Sequence, residues 1–342
     1  MERMKKKKSL KNCCRHAALL VAMLMLTTGA AAQRREAFVK YQSELQPLME
    51  KVVHAPTDNE RYNANELFVQ LFDEALHAEG SFQWKWDFGT YVSVLTSSDR
   101  QFRIITWPVV RDNGEYECFG FVQSYNPKSE EYDIYVLNDK SDEILSANEV
   151  ILEPENWLGS VYQELVETKH DGKTYYTLIG WTGCNSLVQR KVIEPICFRS
   201  NSSKPQFGQA LFRREKNLRR LVLEYSRNAL VNVRFDEQII RTYENKKIKK
   251  KGRVYNMQVP REEKVKMIIF DEIAPMVPGM EGLPQYYAPT GIEMAYVFVN
   301  GRWELRDNAQ GRLSDPKLNK EFAPLPKTQP AYNMQQDNER KK

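Results

Sequence analysis

The sequence predicts a mainly β protein with an N-terminal helical pair, built as an irregular antiparallel β-sandwich or sheet array. After residue 32, apolar residues recur every three or four positions, as on one face of a helix, only before residue 80. From residue 82 onward, short runs rich in Val, Ile, Tyr and Phe recur about every ten residues, with turn residues between them. Because these runs have no fixed period, a sandwich or sheet array is favoured over a propeller.

Residues 1–32 have the organisation of an export signal. A basic segment that ends at Arg15 precedes ten apolar residues, Ala17 to Leu26, and small residues follow up to Ala32. The apolar stretch is too short to span a bilayer as a helix. We therefore expect cleavage after Ala32, with an uncleaved N-terminal anchor as the alternative.

Removal of this segment changes the charge of the chain. The full sequence has 50 basic and 45 acidic residues, and the first 32 positions hold seven basic residues and one acidic residue, so 43 basic and 44 acidic residues remain. A mature chain with a net charge of −1 lacks the basic excess of a nucleic-acid-binding protein, so we expect no nucleic-acid partner. No later apolar run reaches the length of a membrane-spanning helix, so the mature chain is expected to have no transmembrane segment.

Residues 33–80 are predicted to form the helical pair. Pro47 is expected to kink or divide the first helix. The second helix is predicted to start near Thr57, a good N-cap residue, and to stop at Gly80. Its predicted apolar face consists of Leu67, Phe68, Leu71, Phe72 and Leu76.

Residues 81–312 are predicted to form the β-rich domain, either as one unit or as two subdomains, 81–140 and 160–312. Residues 90–138 have the pattern of a four-stranded antiparallel meander, and a second series of strands follows Trp157. Residues 313–342 are polar and proline-spaced and are predicted to be a disordered tail.

Motifs for metal, nucleotide and acyl-transfer chemistry are missing from the sequence, so no metal and no cofactor are expected. Two carboxylates remain as candidates for catalysis, Asp236 and Asp271, because each ends an apolar strand in the sequence Phe-Asp-Glu. Two such acids facing one cleft would suit a glycan-directed hydrolase. The alternative is that strands simply end in polar residues.

Aromatic residues supply candidate binding positions. Trp181 follows a predicted strand, and Tyr286 and Tyr287 lie at the centre of a long irregular stretch, residues 270–294. Exposed aromatic rings bind sugars, although the same residues also fill sandwich cores. The alternatives of a binding groove and core packing both stay open here.

A run of lysines, "NKKIKKKGR" at residues 245–253, lies between two predicted strands and includes Lys249 and Lys250. We predict a hairpin tip that contacts an anionic envelope surface or a phosphate-rich polymer. An ordinary solvated loop is the alternative.

The stretch 175–198 is predicted to be a β-hairpin with Cys184 in its loop and Cys197 in its second strand. The two positions would be about 20 Å apart along the strand, which is beyond disulfide reach. A reactive cysteine also needs a histidine base, and the nearest in sequence is His170. We therefore predict two unlinked cysteines, with Cys197 buried.

The stretches "KTYYTLIGWTGCNSLVQRKVIEPICF", "MIIFDEIAPMVPGMEGLPQYYAPTG" and "AYVFVNGRWELRD" resemble a group of exported, uncharacterised β-rich proteins of Bacteroidota-type bacteria, over residues 80–310. No activity comes with this group, so the resemblance assigns no functional residue. A polar tail in place of a C-terminal β-domain for sorting implies the periplasm or the periplasmic face of the outer membrane, rather than secretion.

The leading expectation from the sequence is an exported, periplasmic, non-enzymatic binding or structural protein of the bacterial envelope. Its partner would be an envelope component or another protein. The alternative is an envelope-acting, glycan-directed hydrolase that uses Asp236 and Asp271.

Overall fold

The computed structural model describes residues 32–213, 217–250 and 253–306. Apart from Ala32, the predicted export signal lies outside these ranges, and so does the predicted tail, 313–342. The predicted fold class is confirmed, because two N-terminal helices are followed by three antiparallel sheets.

The helical pair consists of α1, residues 32–54, and α2, Asp58–His77. Thr57 caps α2, since its hydroxyl accepts a hydrogen bond from the Glu60 amide at 3.3 Å. Gly80, with φ of 90°, follows the end of α2 rather than ending it. The buried face of α2 includes Phe68 and Phe72, while Leu67, predicted to lie on that face, is 54% exposed.

Pro47 does not divide α1, contrary to one of the two expectations for it. A proline within a helix removes one backbone hydrogen bond. Leu45 and Met49, on either side of Pro47, are fully buried in the core that α1 shares with α2 and the first sheet. This packing keeps the helix continuous across the proline.

The first sheet is the predicted four-stranded meander, in the sequential order β1-β2-β3-β4. Every neighbouring pair is antiparallel. Its strands are β1 Ser93–Thr96, β2 Phe102–Val110, β3 Tyr116–Asn126 and β4 Glu131–Asn138.

The second sheet contains the predicted hairpin, in the order β5-β6-β7-β8, with β9 also paired to β7. The sequence patterns missed its first strand, in which charged residues such as Glu164 and Glu167 lie among buried ones such as Tyr162, with a register shift between Tyr162 and Glu164. The strands are β5 Val161–His170, β6 Lys173–Thr182, β7 Val188–Phe198, β8 Pro205–Phe207 and β9 Leu221–Ser226.

The third sheet has the order β10-β11-β12-β13. Its second strand joins two strands that were predicted separately, and the irregular stretch between β11 and β12 includes a short 3-10 turn, Pro284–Tyr286. The strands are β10 Val233–Lys250, β11 Arg253–Pro275, β12 Tyr287–Val299 and β13 Arg302–Arg306.

The helices and the three sheets stack as four layers. Because side chains alternate across a strand, each inner sheet contributes to two cores. In β2, Trp107 packs toward the helices and Ile104 toward the second sheet. In β6, Leu178 packs toward the first sheet and Ile179 toward the third. Because the first and second sheets are stacked, the ends of their strands lie close together at one side of the molecule.

A buried ion pair lies in the core between the first and second sheets. The side chains of Glu194, on β7, and Arg220 are both 0% exposed and hydrogen-bonded to each other. Glu194 also accepts a hydrogen bond from Tyr162, and Arg220 donates to the carbonyls of Val150 and Phe207 at 2.9 and 3.0 Å. Both members of the pair are thus buried and hydrogen-bonded to further groups of this core.

Candidate binding site

A polar cavity of about 430 Å³ lies where the first and second sheets meet. Its walls come from the β2–β3 turn and the start of β3, the segment after β4, the β6–β7 loop, two residues of β7, and one residue each of β9 and the 3-10 turn. Three basic residues and six acidic residues line it: Arg111, Lys140, Arg190, Glu115, Glu117, Asp139, Asp142, Glu143 and Glu224.

The β6–β7 loop forms a fixed wall of this cavity. The backbone of Gly183 lies against the ring of Tyr116, so closely that a Cβ on Gly183 would be 2.4 Å from the ring. Cys184 has a left-handed φ of 44°, and its carbonyl accepts a hydrogen bond from the Tyr116 amide at 2.9 Å. Arg227 donates to the carbonyls of Gly183 and Asn185 at 3.2 and 2.9 Å. The loop is therefore held by backbone contacts on both sides.

Asp139 places a carboxylate on the opposite wall. Its two oxygens accept hydrogen bonds from the amides of Cys118, at 2.9 Å, and Ser141, at 3.0 Å. The carboxylate sits directly on the backbone of Gly159, where a Cβ would be 2.1 Å from an oxygen. Two backbone donors leave further acceptor positions on this carboxylate, because an ionised carboxylate offers about four.

Arg190, on β7, lines the cavity with a guanidinium whose side chain is only 13% exposed. Its Nε and Nη2 donate to one oxygen of Glu224 at 3.1 and 2.7 Å. Burial by itself would lower the pKa of Arg190, but the neighbouring Cys184, Glu224 and Asp139 raise it, so the side chain stays charged. Its Nη1 is buried and has no hydrogen-bond partner within the described ranges.

The other cations of the cavity are paired. Arg111 contacts Glu117 at 2.9 Å, and Lys140 contacts Glu143 at 2.7 Å. Asp139 and Asp142 have no basic partner among the ion pairs of the described residues. The cavity lining therefore has one buried hydrogen-bond donor without a partner, the Nη1 of Arg190, and more acidic than basic side chains.

Cys184 lines the cavity but lacks the properties of a nucleophile. Burial raises the pKa of its thiol to about 11, with Arg190 opposing the shift and nearby carboxylates adding to it. Burial also raises the pKa of the Cys118 thiol. All three cysteines of the described residues are free, which confirms the prediction for Cys184 and Cys197. Cys197 is half-buried rather than buried, because it lies near one end of β7 against the short strand β8.

The predicted aromatic residues lie near the cavity without forming its lining. Trp181 is half-buried, donates to Gln189 at 3.0 Å and contacts the ring of Tyr116 at a centroid distance of 5.5 Å. Pro284 reaches the cavity, while Tyr286 is 38% exposed and Tyr287 accepts a hydrogen bond from the Gly282 amide. The structure thus brings the two predicted segments to one region, but charged residues form the site itself.

The two candidate catalytic acids lie on the third sheet, away from the cavity lining. Asp236 is exposed and pairs in register with Met267, four residues along β11 from Asp271. Their backbone positions are therefore about 13 Å apart along the sheet, which exceeds the separation of glycosidase carboxylates. Asp271 accepts hydrogen bonds from the amide and side chain of Asn232. The sheet does not bring the two acids together.

Lys249 and Lys250 lie at the end of β10, in the antiparallel pairing with β11. The lysine run is thus largely strand rather than loop, because pairing continues to Lys250 and Arg253. The side chains of Lys249 and Lys250 lie outside the described part of the structure.

Across residues 32–213, 217–250 and 253–306, no cluster of three or more His, Cys, Asp or Glu side chains is arranged to hold a metal ion. The same ranges contain no helix with the length and apolar character needed to cross a membrane.

Comparisons with protein-family models, curated proteins and solved structures found no match to this chain. The functional argument therefore rests on the cavity and its chemistry.

Proposed function

We propose that this chain is an exported, non-enzymatic binding protein of the bacterial envelope and that the polar cavity is its ligand site. The proposed ligand is a small, hydroxyl-rich molecule that is neutral or carries an amine, such as a fragment of an envelope glycan. The observation that carries this proposal is the charged lining of the cavity, to which Arg190 contributes a largely buried guanidinium.

A hydrogen bond to a charged group is worth about 1.5–3 kcal/mol, so a ligand hydroxyl that bonds to the guanidinium or to a carboxylate of the lining gains that free energy. Arg190 lines a cavity whose volume, about 430 Å³, falls within the range of small-molecule sites. A sugar hydroxyl meets both needs of the site, because it accepts from Arg190 and donates to a carboxylate such as Asp139.

The charge of the lining selects among polar ligands. Six acidic residues against three basic ones repel an anion and favour a neutral or cationic molecule. Neutral sugars and amino sugars with a free amine have this character, whereas uronic acids and phosphorylated sugars do not. The half-buried ring of Tyr116 adds an aromatic surface to the lining, and the ring of Trp181 packs against it.

The envelope location in this proposal rests on the first 32 residues, which have the pattern of an export signal. The non-enzymatic part rests on the chemistry of the cavity. Its thiol has a raised pKa, and the described residues of its lining include no histidine. The hydrolase alternative has no comparable support, since Asp236 and Asp271 are separated along the third sheet.

The test is thermal unfolding of the mature chain, residues 33–342, with a panel of glucosamine oligosaccharides, neutral oligosaccharides and oligouronates. A ligand at a hundred times its dissociation constant adds about 2.7 kcal/mol to the free energy of unfolding. For a chain of this size the midpoint should rise by roughly 5–10 °C. The amine-bearing or neutral members should raise the midpoint and the oligouronates should not.

Two variants connect any shift to the cavity. Arg190→Met removes the unpartnered donor, and Arg234→Met removes a similar ion-paired arginine on the third sheet, 2.8 Å from Glu293. The ligand-induced shift should disappear in Arg190→Met and persist in Arg234→Met. A shift of equal size in both variants, or a panel in which only oligouronates bind, would contradict the proposed site.

A further inference from the structure

The β10–β11 hairpin extends well beyond the third sheet. Its pairing runs from Val233 with Phe270 to Lys250 with Arg253, whereas β12 pairs with β11 only from Met267 onward to Pro275. Residues 237–250 and 253–266, which we name the ribbon, therefore have no third strand in the described structure. At about 3.3 Å per residue the ribbon is roughly 43 Å long.

Charge is distributed unevenly along the ribbon. Near its base, acids and bases are paired: Lys264 contacts Glu237 at 3.2 Å, and Arg261 contacts Glu244. The distal part, residues 245–253, contains five lysines and one arginine and no acidic residue. Lys246 and Lys247 are exposed. The end farthest from the sheet is thus strongly positive on a protein whose mature charge is close to zero.

One side of the distal ribbon includes apolar positions among the basic ones. Lys246 pairs with Met257, and the next two alternate pairs are Ile248 with Tyr255 and Lys250 with Arg253. Because positions two residues apart lie on the same side of a strand, these three pairs share one side of the ribbon. Met257 is 50% exposed. Basic, aliphatic and aromatic positions therefore alternate over one surface.

We propose that the end of the ribbon docks onto the surface of a bilayer that contains anionic phospholipids. Basic residues near such a surface are each worth about 1 kcal/mol of attraction, and tyrosine favours the depth of the headgroups. A phosphate-rich polymer would reward the lysines but not the apolar positions beside them. An isolated two-stranded ribbon is only marginally stable, so contact with a surface also stabilises its long pairing.

This inference is independent of the cavity, because it concerns a different sheet and a different kind of binding partner. The chain would use the ribbon to remain at a membrane surface and the cavity to bind a small polar ligand. Failure of one proposal leaves the other unaffected.

Co-sedimentation of the mature chain with vesicles tests the ribbon. Binding is measured with vesicles of phosphatidylcholine alone and of phosphatidylcholine mixed with phosphatidylglycerol. The ribbon variant changes Lys246, Lys247, Lys249 and Lys250 to Gln. A control variant of equal charge changes four exposed lysines elsewhere, Lys51, Lys85, Lys128 and Lys169, to Gln. Thermal unfolding of each variant checks that it folds.

The mature chain should bind only the vesicles with phosphatidylglycerol, and added salt should weaken this binding. The ribbon variant should bind about a hundredfold less tightly or worse, while the control variant should lose much less. Met257→Ser, which keeps every charge, should weaken binding roughly fivefold, since half of the methionine surface is available for burial. Equal losses in the ribbon and control variants, or no binding to anionic vesicles, would overturn the proposal. Retention of wild-type affinity by Met257→Ser would overturn the role of its apolar side.

Discussion

Replacement of Arg220 by methionine is the most demanding test of the layered core. Arg220 and Glu194 are both fully buried between the first and second sheets, and Arg220 also donates to the carbonyls of Val150 and Phe207. Arg220→Met keeps a long, unbranched side chain at this position but removes the positive charge. Glu194 is then left as a buried carboxylate whose remaining side-chain partner is Tyr162.

The expected loss follows from these contacts. Removal of one partner from a buried ion pair costs about 3–5 kcal/mol, a figure that includes the charge left without compensation. Each kcal/mol lowers the unfolding midpoint by about 2–4 °C in chains of a few hundred residues, so a loss of about 4 kcal/mol lowers it by roughly 8–16 °C. By contrast, Arg234→Met breaks a partly exposed pair and should cost no more than about 1 kcal/mol.

Thermal and urea unfolding of the mature chain measure these losses. The double variant Glu194→Leu/Arg220→Met should be more stable than Arg220→Met, because removal of both side chains leaves no uncompensated charge in the core. The reasoning is refuted if Arg220→Met costs no more than Arg234→Met. It is also refuted if the double variant is less stable than Arg220→Met alone.

Three further predictions concern the cavity wall, its cysteine and a hydrogen-bonded carboxylate in another part of the structure. Gly183→Ala should cost about 1–3 kcal/mol of stability and abolish ligand-induced stabilisation, because its Cβ would lie 2.4 Å from the Tyr116 ring. The control is Gly172→Ala, in open space with a φ of 72°. It should cost about 1 kcal/mol of stability and leave any ligand-induced shift of the unfolding midpoint intact. Iodoacetamide should alkylate Cys184 about a hundredfold more slowly than a free cysteine at neutral pH, and the rate should rise as the pH approaches 11. Burial raises the pKa of the thiol from 9.0 to about 11, and only the thiolate reacts. If mass spectrometry of the labelled peptide gave the rate of a free thiol, the raised pKa would be contradicted. Asp99→Asn should destabilise the chain at neutral pH, because burial would raise the pKa of Asp99 but hydrogen bonds, the largest from Tyr176, lower it overall. The stabilisation from a lowered carboxyl pKa is present at pH values above the pKa of the unfolded state, about 3.9, and is lost as the pH falls through the pKa of the folded state. If urea unfolding gave the same loss of stability for Asp99→Asn at pH 7 and at pH 2.5, the lowered pKa would not be its cause.

Local patterns predicted the elements of the fold well where strands follow one another through short turns. The meander and the β6–β7 hairpin are of this kind, since their pairing is sequential. The continuity of β11 was harder to predict because Pro260 interrupts its pattern. A proline is tolerated at the edge of a sheet, where no neighbouring strand needs the N–H that proline lacks. The described ribbon has only two strands, so each of them is an edge strand. The stacking of three sheets depends on contacts between distant segments and left no local pattern.

The cavity shows why sites are harder to predict than strands. Asp139, Arg190 and Glu224 come from separate segments, and each has the sequence context of an ordinary surface charge. Only folding makes Arg190 a buried guanidinium with a free donor. The loop around Cys184 was identified from the sequence, but as turn chemistry, and the structure adds that this turn forms a wall of the cavity. Trp181 and the irregular segment before β12 were predicted to be important and lie close by, beside the charged lining.

Hydrogen exchange with and without a glucosamine oligosaccharide tests the central claim most directly, because it locates binding without any substitution. The proposed site predicts slower exchange of backbone amides in residues 139–143 and 182–188, which line opposite walls of the cavity. The ribbon, residues 237–266, should be unchanged by this soluble ligand. Protection confined to the ribbon or to the third sheet, with both cavity segments unaffected, would contradict the assignment of the cavity as the ligand site.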